Sequence, residues 1–283
     1  MNILAYIKRH TVRTYFILAY LVTWTTIVLV VGPQNLGRGS VSTPQFLLIW
    51  VAMLVGSGGM GLLLTALLTG RAGLHELLDG MGRWRVGLRW YAPLLIVPLI
   101  AAIVSIILTQ TSPDFAPTII TASDKTVPLV MFLVVAFGTF VEELGWTGLA
   151  THRLRKRYNP LAIGLGVGVL WACWHFMGDL TGSRANYAEL FPLHFLVFWL
   201  APLTAFRVLI VWVYDHTKSL LMGQLMHASY SPVLFVLSPS AASAQESVTY
   251  ETSFTVLLCV VVIVIVFLER HYHAGVPRPI LET

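Results

Sequence analysis

Two adjacent carboxylates, Glu142 and Glu143, sit inside an apolar stretch spanning 128–150. An ionised acid at the centre of a membrane helix costs roughly 2.5–3.5 kcal/mol on the mildest scales, so such a residue is read first as a functional group facing protein or water. Two histidines join them. His175 closes Trp171-Ala-Cys-Trp-His175 in a second apolar stretch, and His227 opens His227-Ala-Ser-Tyr-Ser231 in a third. Residues four apart on one helix share a face, so His227 and Ser231 can address one object. A cation, Arg207, lies in yet another apolar stretch.

This set can support hydrolysis by an activated water. A carboxylate in a low-dielectric site is a competent general base near neutral pH. One imidazole can hold and polarise the water, while the other, with the Ser231 hydroxyl, donates hydrogen bonds to a developing oxyanion. No cofactor is required. The alternative is zinc, with Glu142, His175 and His227 as ligands and one open position. Successive helical residues point about 100° apart, so one glutamate is expected to face the reaction and the other a supporting partner. Blander readings exist for each residue alone. A lone membrane histidine is often an interhelical hydrogen-bond partner. Ser231 can satisfy backbone freed by Pro232, and Arg207 can snorkel to the interface or form a structural ion pair with the glutamates. Co-occurrence in three apolar stretches favours a site. His194 lacks such companions in the sequence and reads as structural.

The elements that must position these groups are membrane helices. The 283-residue chain is 57% hydrophobic and 11% charged, against about 25% charged in an ordinary soluble domain. Eight apolar segments of near-spanning length are expected at about 12–31, 44–69, 90–110, 127–150, 160–180, 190–213, 218–237 and 251–269. The fold class is therefore all-α, a polytopic bundle of about eight transmembrane helices, with 1–283 read as a single domain. The glycines at 56, 58, 59 and 61 and at 164, 166 and 168 are expected to pack helices closely. Asn159-Pro160 marks a helix start. Cys173 and Cys259 give neither a disulfide framework nor a zinc pattern. No cleavable signal-peptide pattern is evident at the N-terminus.

Basic residues alternate between the loops. Lys8, Arg9 and Arg13 lie at the N-terminus. Arg71, Arg83, Arg85 and Arg89 fall in the second loop, Arg153, Arg155, Lys156 and Arg157 in the fourth, and Arg270 and Arg278 after the last segment. The first, third, fifth and seventh loops hold few basic residues. Both termini are expected in the cytoplasm, and the net charge of +5 is a topology signal that implies no nucleic-acid partner. The stretch 70–89 mixes leucines and Trp84 with arginines and suits an interfacial amphipathic helix. The basic stretch 152–158 should extend the fourth helix into the cytoplasm.

The ordered motifs resemble the CAAX protease and bacteriocin-processing family of intramembrane endopeptidases, often called Abi proteins. Glu142-Glu143-Leu-Gly-Trp matches the family's double glutamate, Trp171-x-x-x-His175 its aromatic–histidine pair, and His227-x-x-x-Ser231 its third motif; the resemblance covers about 130–235. It implies cleavage of membrane-associated proteins or peptides near the cytoplasmic face, in a bilayer that is by analogy a bacterial plasma membrane. It further implies that Glu142 and His175 activate water while His227 and residue 231 bind the oxyanion. Family members have been described both as metalloproteases and as glutamate enzymes without metal. Two departures stand out: Thr147 replaces the usual arginine, and Ser231 the usual asparagine. Arg207 is the candidate replacement cation for Glu143. The rival readings are a non-catalytic immunity or assembly factor on the same scaffold and, with no inverted repeat in view, a proton-coupled transporter.

Overall fold

In the computed structural model, which describes residues 3–39 and 41–274, the chain is a polytopic bundle of α-helices. Among the described residues, eight helices are long and apolar enough to cross a membrane: α1 Thr11–Val31, α2 Thr43–Met81, α3 Leu88–Thr109, α4 Thr126–Leu154, α5 Pro160–Gly182, α6 Arg184–Thr217, α7 Leu220–Leu237 and α8 Ala244–His271. Apolar side chains remain exposed along their outer faces, as at Leu29, Ile106, Leu133 and Ile263. That is the surface a bilayer, rather than water, would solvate. Arg278 lies outside the described residues.

The apolar runs locate every spanning helix but understate several. α2 continues to Met81, α6 starts at Arg184 and α8 at Ala244, because polar residues remain helical once a spanning segment leaves the hydrocarbon. The stretch 70–89 is accordingly helical as far as Met81. It is set off from the rest of α2 by Gly70, whose φ of 61° and ψ of −149° belong to a region that only glycine occupies readily. Local chemistry fixes other ends. Asn159 caps α5, its Oδ1 accepting from the Ala162 N–H at 2.8 Å, with Pro160 in the first turn. Ser219 caps α7 through the Met222 N–H at 3.1 Å.

Glycines bring helices together where the polar residues lie. A Cβ on Gly58 would fall 2.2 Å from the Val141 carbonyl oxygen, and one on Gly61 2.6 Å from Gly145 Cα. The crossing of α2 over α4 thus flanks the double glutamate. At the α5–α6 crossing, Cβ atoms on Gly164 and Gly168 would meet Val208 Cα at 2.6 Å and Thr204 Cα at 2.7 Å. Gly166 meets nothing within 4 Å and Gly59 only its own preceding turn, so the expected close packing falls on a subset of the glycines.

Among the described residues, three helices carry π-helical turns. α4 is π-helical over Leu144–Thr151, directly after the glutamates, α2 over Val55–Gly59 and α6 over Phe195–Leu200. Such turns rotate the residues that follow and recur at functional sites. α7 breaks between Ala228 and Ser231, so it consists of Leu220–Ala228 and Ser231–Leu237. Pro232 supplies no N–H and begins a new helix better than it continues one. The expectation that His227 and Ser231 share one uninterrupted helical face is therefore corrected.

Candidate active site

Glu142 and Glu143 divide as their 100° separation requires. Glu142 is 8% exposed and lines a cavity of about 700 Å3. Its Oε2 accepts from the Trp146 indole N–H at 3.2 Å and, less closely, from that of Trp171 at 3.4 Å. Glu143, one residue on, is fully buried and turned the other way. Arg207 grips it through two parallel hydrogen bonds, Nη2 to Oε1 at 2.8 Å and Nη1 to Oε2 at 2.9 Å. Thr147 also donates to Glu143 Oε2 and itself accepts from Arg207 Nη1 at 3.4 Å. The position that carries arginine in the resemblance thus holds a hydroxyl, and the cation arrives from α6. Arg207 is 0% exposed and does not snorkel.

His227 stands between the two carboxylates. Its Nδ1 lies 3.0 Å from Glu143 Oε1, off the line of a well-formed hydrogen bond. Its ring meets the edge of Trp171 at 4.7 Å, and it lines the cavity that Glu142 lines. His175 lines that cavity as well, its ring stacked on Trp199 at 4.2 Å. Ser231 is a fourth lining residue. Glu142, His175, His227 and Ser231 therefore converge from α4, α5 and the two parts of α7, whereas Glu143, Thr147 and Arg207 form a buried layer beneath them. Trp171 joins the layers: it reaches Glu142 by its N–H, touches His227, and receives the Arg207 guanidinium over its face at 4.2 Å, a cation–π contact strengthened by desolvation.

Sequence reasoning missed several neighbours. Trp146 stands one turn after Glu142 and was legible as an i,i+4 partner. Trp199 and Tyr230 carried no polar signal, yet both line the cavity. The reading of His194 as a residue without companions is wrong. It is 3% exposed and bridges Asp179, at 3.2 Å from Nε2, and Glu251, at 2.9 Å from Nδ1. Tyr187 donates to Glu251 at 2.7 Å. Asp179 and Glu251 each lie near the end of an apolar run; helices α5 and α8 carry them inward. Glu251 and Tyr187 line the far part of the same cavity.

The cavity has a direction. Beyond the four converging residues its lining includes Thr118, Ser183, Ser238 and Ser240, from the third, fifth and seventh loops. Thr118 and Ser238 are hydrogen bonded there, N–H to carbonyl at 3.0 Å. The basic loops gather at the opposite end, where Arg83 Nη1 donates to the Lys218 carbonyl at 2.9 Å and Arg155 pairs with Asp215 at 2.7 Å.

As for zinc, no three His, Cys, Asp or Glu side chains are arranged to hold a metal ion among the described residues. The donor set does not fit that role well: Glu142 Oε2 is turned toward two indole N–H groups, and His227 directs Nδ1 at Glu143.

A family model described as Type II CAAX prenyl endopeptidase Rce1-like matches residues 124–233. That stretch runs from just before α4 into the second part of α7 and contains every residue of the converging set. Residues 124–233 are thus similar to the CAAX protease family. A similar curated protein is a CAAX prenyl protease 2 from Methanococcus maripaludis, 31% identical over 102 residues, which is 35% of this chain and 36% of that relative. The matched stretch thus spans little more than a third of the relative's length, and the family likeness rests on the helices that build the site.

Proposed function

We propose that this chain is an intramembrane endopeptidase that hydrolyses peptide bonds of membrane-associated proteins or peptides through a glutamate-activated water. The observation that carries the reading is the meeting of Glu142, His175, His227 and Ser231 on one cavity of about 700 Å3. Glu142 takes a proton from a water that attacks the scissile carbonyl, and His175 orients that water. His227 and the Ser231 hydroxyl donate to the tetrahedral oxyanion. Glu142 then delivers the proton to the leaving amine, so acid and base are one residue used twice. Glu143 and Arg207 act as positioning residues: their paired charges hold the carboxylate against His227 Nδ1 and leave Nε2 for the cavity. Water activation without metal is the reading favoured by the donor set.

The chain is proposed to lie in a plasma membrane, bacterial by the resemblance, with both termini cytoplasmic and 1–283 acting as one unit. That orientation alters the expected side of cleavage. The cavity extends toward the loops poor in basic residues, so under the positive-inside rule substrate enters from the non-cytoplasmic side or sideways from the bilayer. The expectation of a reaction opening to the cytoplasm is set aside on this ground. A non-catalytic immunity or assembly role is the reading to which a failed assay would return.

The test is hydrolysis of a membrane-associated reporter peptide by purified protein. Glu142→Gln keeps shape but accepts no proton, and is expected to bring turnover close to background. His227→Ala is expected to cost roughly 10²–10³ in rate, as loss of an oxyanion donor does, and Ser231→Ala less, with Ser231→Asn retaining activity. Unchanged turnover in Glu142→Gln would overturn the mechanism. So would recovery of chelator-treated enzyme by zinc at one bound metal per chain.

A further inference from the structure

A second cleft lies at the end of the bundle opposite the cavity mouth. Its volume is about 300 Å3, and it is walled by α2, α4, the end of α6 and the start of α7. Four cationic side chains line it, Arg83, Arg153, Lys156 and Lys218, against one carboxylate, Glu76. Their states differ. Lys218 is occupied by Asp215 at 2.7 Å. Arg83 is pinned across the cleft, its Nη1 donating to the Lys218 carbonyl at 2.9 Å while its own carbonyl accepts from Ser219 Oγ at 2.6 Å. Glu76 approaches His152 at 3.6 Å. Arg153 and Lys156, one helical turn apart, take part in no side-chain hydrogen bond or ion pair among the described residues.

Basic residues at this end of a membrane protein are ordinary, and scattered ones would mark only orientation. Here they converge from separate helices onto one hollow with an excess of positive charge and two uncommitted cations. Tyr214 and Thr69 add hydroxyls to its lining. A compact anion with several acceptor oxygens satisfies such a set, and basic pockets between membrane helices on the cytoplasmic side take phosphate-bearing headgroups.

We propose that this cleft is a phosphate-binding site, filled by the headgroup of an anionic phospholipid or by phosphate free in solution. The cleft touches Gly148 and Leu149 of the π-helical stretch that follows Glu143, and Leu220, the first residue of the helix that carries His227. An occupant therefore ties together the ends of the helices that hold the catalytic cluster, and it raises resistance to unfolding.

The test uses the full-length protein, stripped of lipid in an uncharged detergent and followed by thermal unfolding. Three titrants separate the sources: short-chain phosphatidylglycerol, short-chain phosphatidylcholine and inorganic phosphate. A saturable rise in unfolding temperature with phosphatidylglycerol, and little with phosphatidylcholine, is expected if a lipid is the occupant. The same rise with inorganic phosphate assigns the soluble source and also supports the site. Each lost charge is worth about fivefold in affinity, so Arg153→Gln with Lys156→Gln is expected to shift the midpoint about twenty-five-fold without changing the unfolding temperature of the lipid-free protein. The two single variants, each shifting about fivefold, stand in should the double variant fold poorly. Equal titrations of wild type and variants, or no saturable response to either phosphate source, would overturn the assignment.

Discussion

Arg207 makes the clearest case at the scale of single residues. A carboxylate buried to 0% exposure needs a cation at its side, and the sequence places a hydroxyl, Thr147, where the resemblance leads one to expect that cation. The guanidinium from α6 supplies it with the bidentate geometry that lysine cannot reproduce. Arg207→Met should therefore leave Glu143 uncompensated and cost about 3–5 kcal/mol, most of it recovered when Glu143→Gln is added. Denaturation of the three variants in detergent measures this, and strict additivity of the two losses would disprove the pairing. Much of the converging set was legible from the sequence, because polar residues in apolar runs are conspicuous. The partners were less so: Trp199 looks like any lipid-facing aromatic, and Asp179 and Glu251 stand at the ends of apolar runs. A buried triad about His194 emerges only when the helices are assembled.

Helix existence followed directly from apolar length, and helix shape did not. Hydropathy carries no signal for the π-helical turns of α4 and α6, which depend on how side chains from neighbouring helices fill the shifted turn. Nor does it register a helix running on past the apolar run, as α2 does to Met81. The α7 break at Ser231 was half visible, in that Pro232 was seen but read as a local disturbance rather than the start of a new helix. The glycine clusters were legible as packing surfaces, though which glycines do the packing depends on the crossing. Gly61 and Gly166 should accordingly respond differently to the same change. Gly61→Ala puts a methyl 2.6 Å from Gly145 Cα, backbone that cannot yield. It is expected to force α2 away from α4, cost about 1–3 kcal/mol as overpacking does, and reduce turnover by displacing the glutamates. Gly166→Ala meets open space and should be neutral or slightly stabilising. Similar unfolding temperatures for the two variants would show that the α2–α4 contact is less tight than described.

Across the whole molecule, two ends carry opposite chemistry. One holds the arginines and lysines of the even-numbered loops and the cationic cleft. The other holds serines and threonines of the odd-numbered loops around the cavity mouth. In the proposed orientation charge bias sets the basic end in the cytoplasm, and the cavity then addresses the opposite side. Neither fact yields this alone: the sequence supplies the bias, and only the assembled helices give the direction of the cavity. Cysteine labelling joins the two. In a background with Cys173→Ser and Cys259→Ser, the exposed position in Ser240→Cys should react with a membrane-impermeant maleimide in intact cells, and that in Asp79→Cys only after permeabilisation. Because Ser240 lines the cavity mouth, a bulky maleimide attached there from outside should also slow cleavage of a reporter peptide. The reverse labelling pattern would turn the bundle over and return the reaction to the cytoplasmic side. Correct labelling with undiminished cleavage would keep the orientation and move the substrate's entrance to the lipid-facing gap beside Phe46 and Phe235, the two exposed aromatics that line the same cavity.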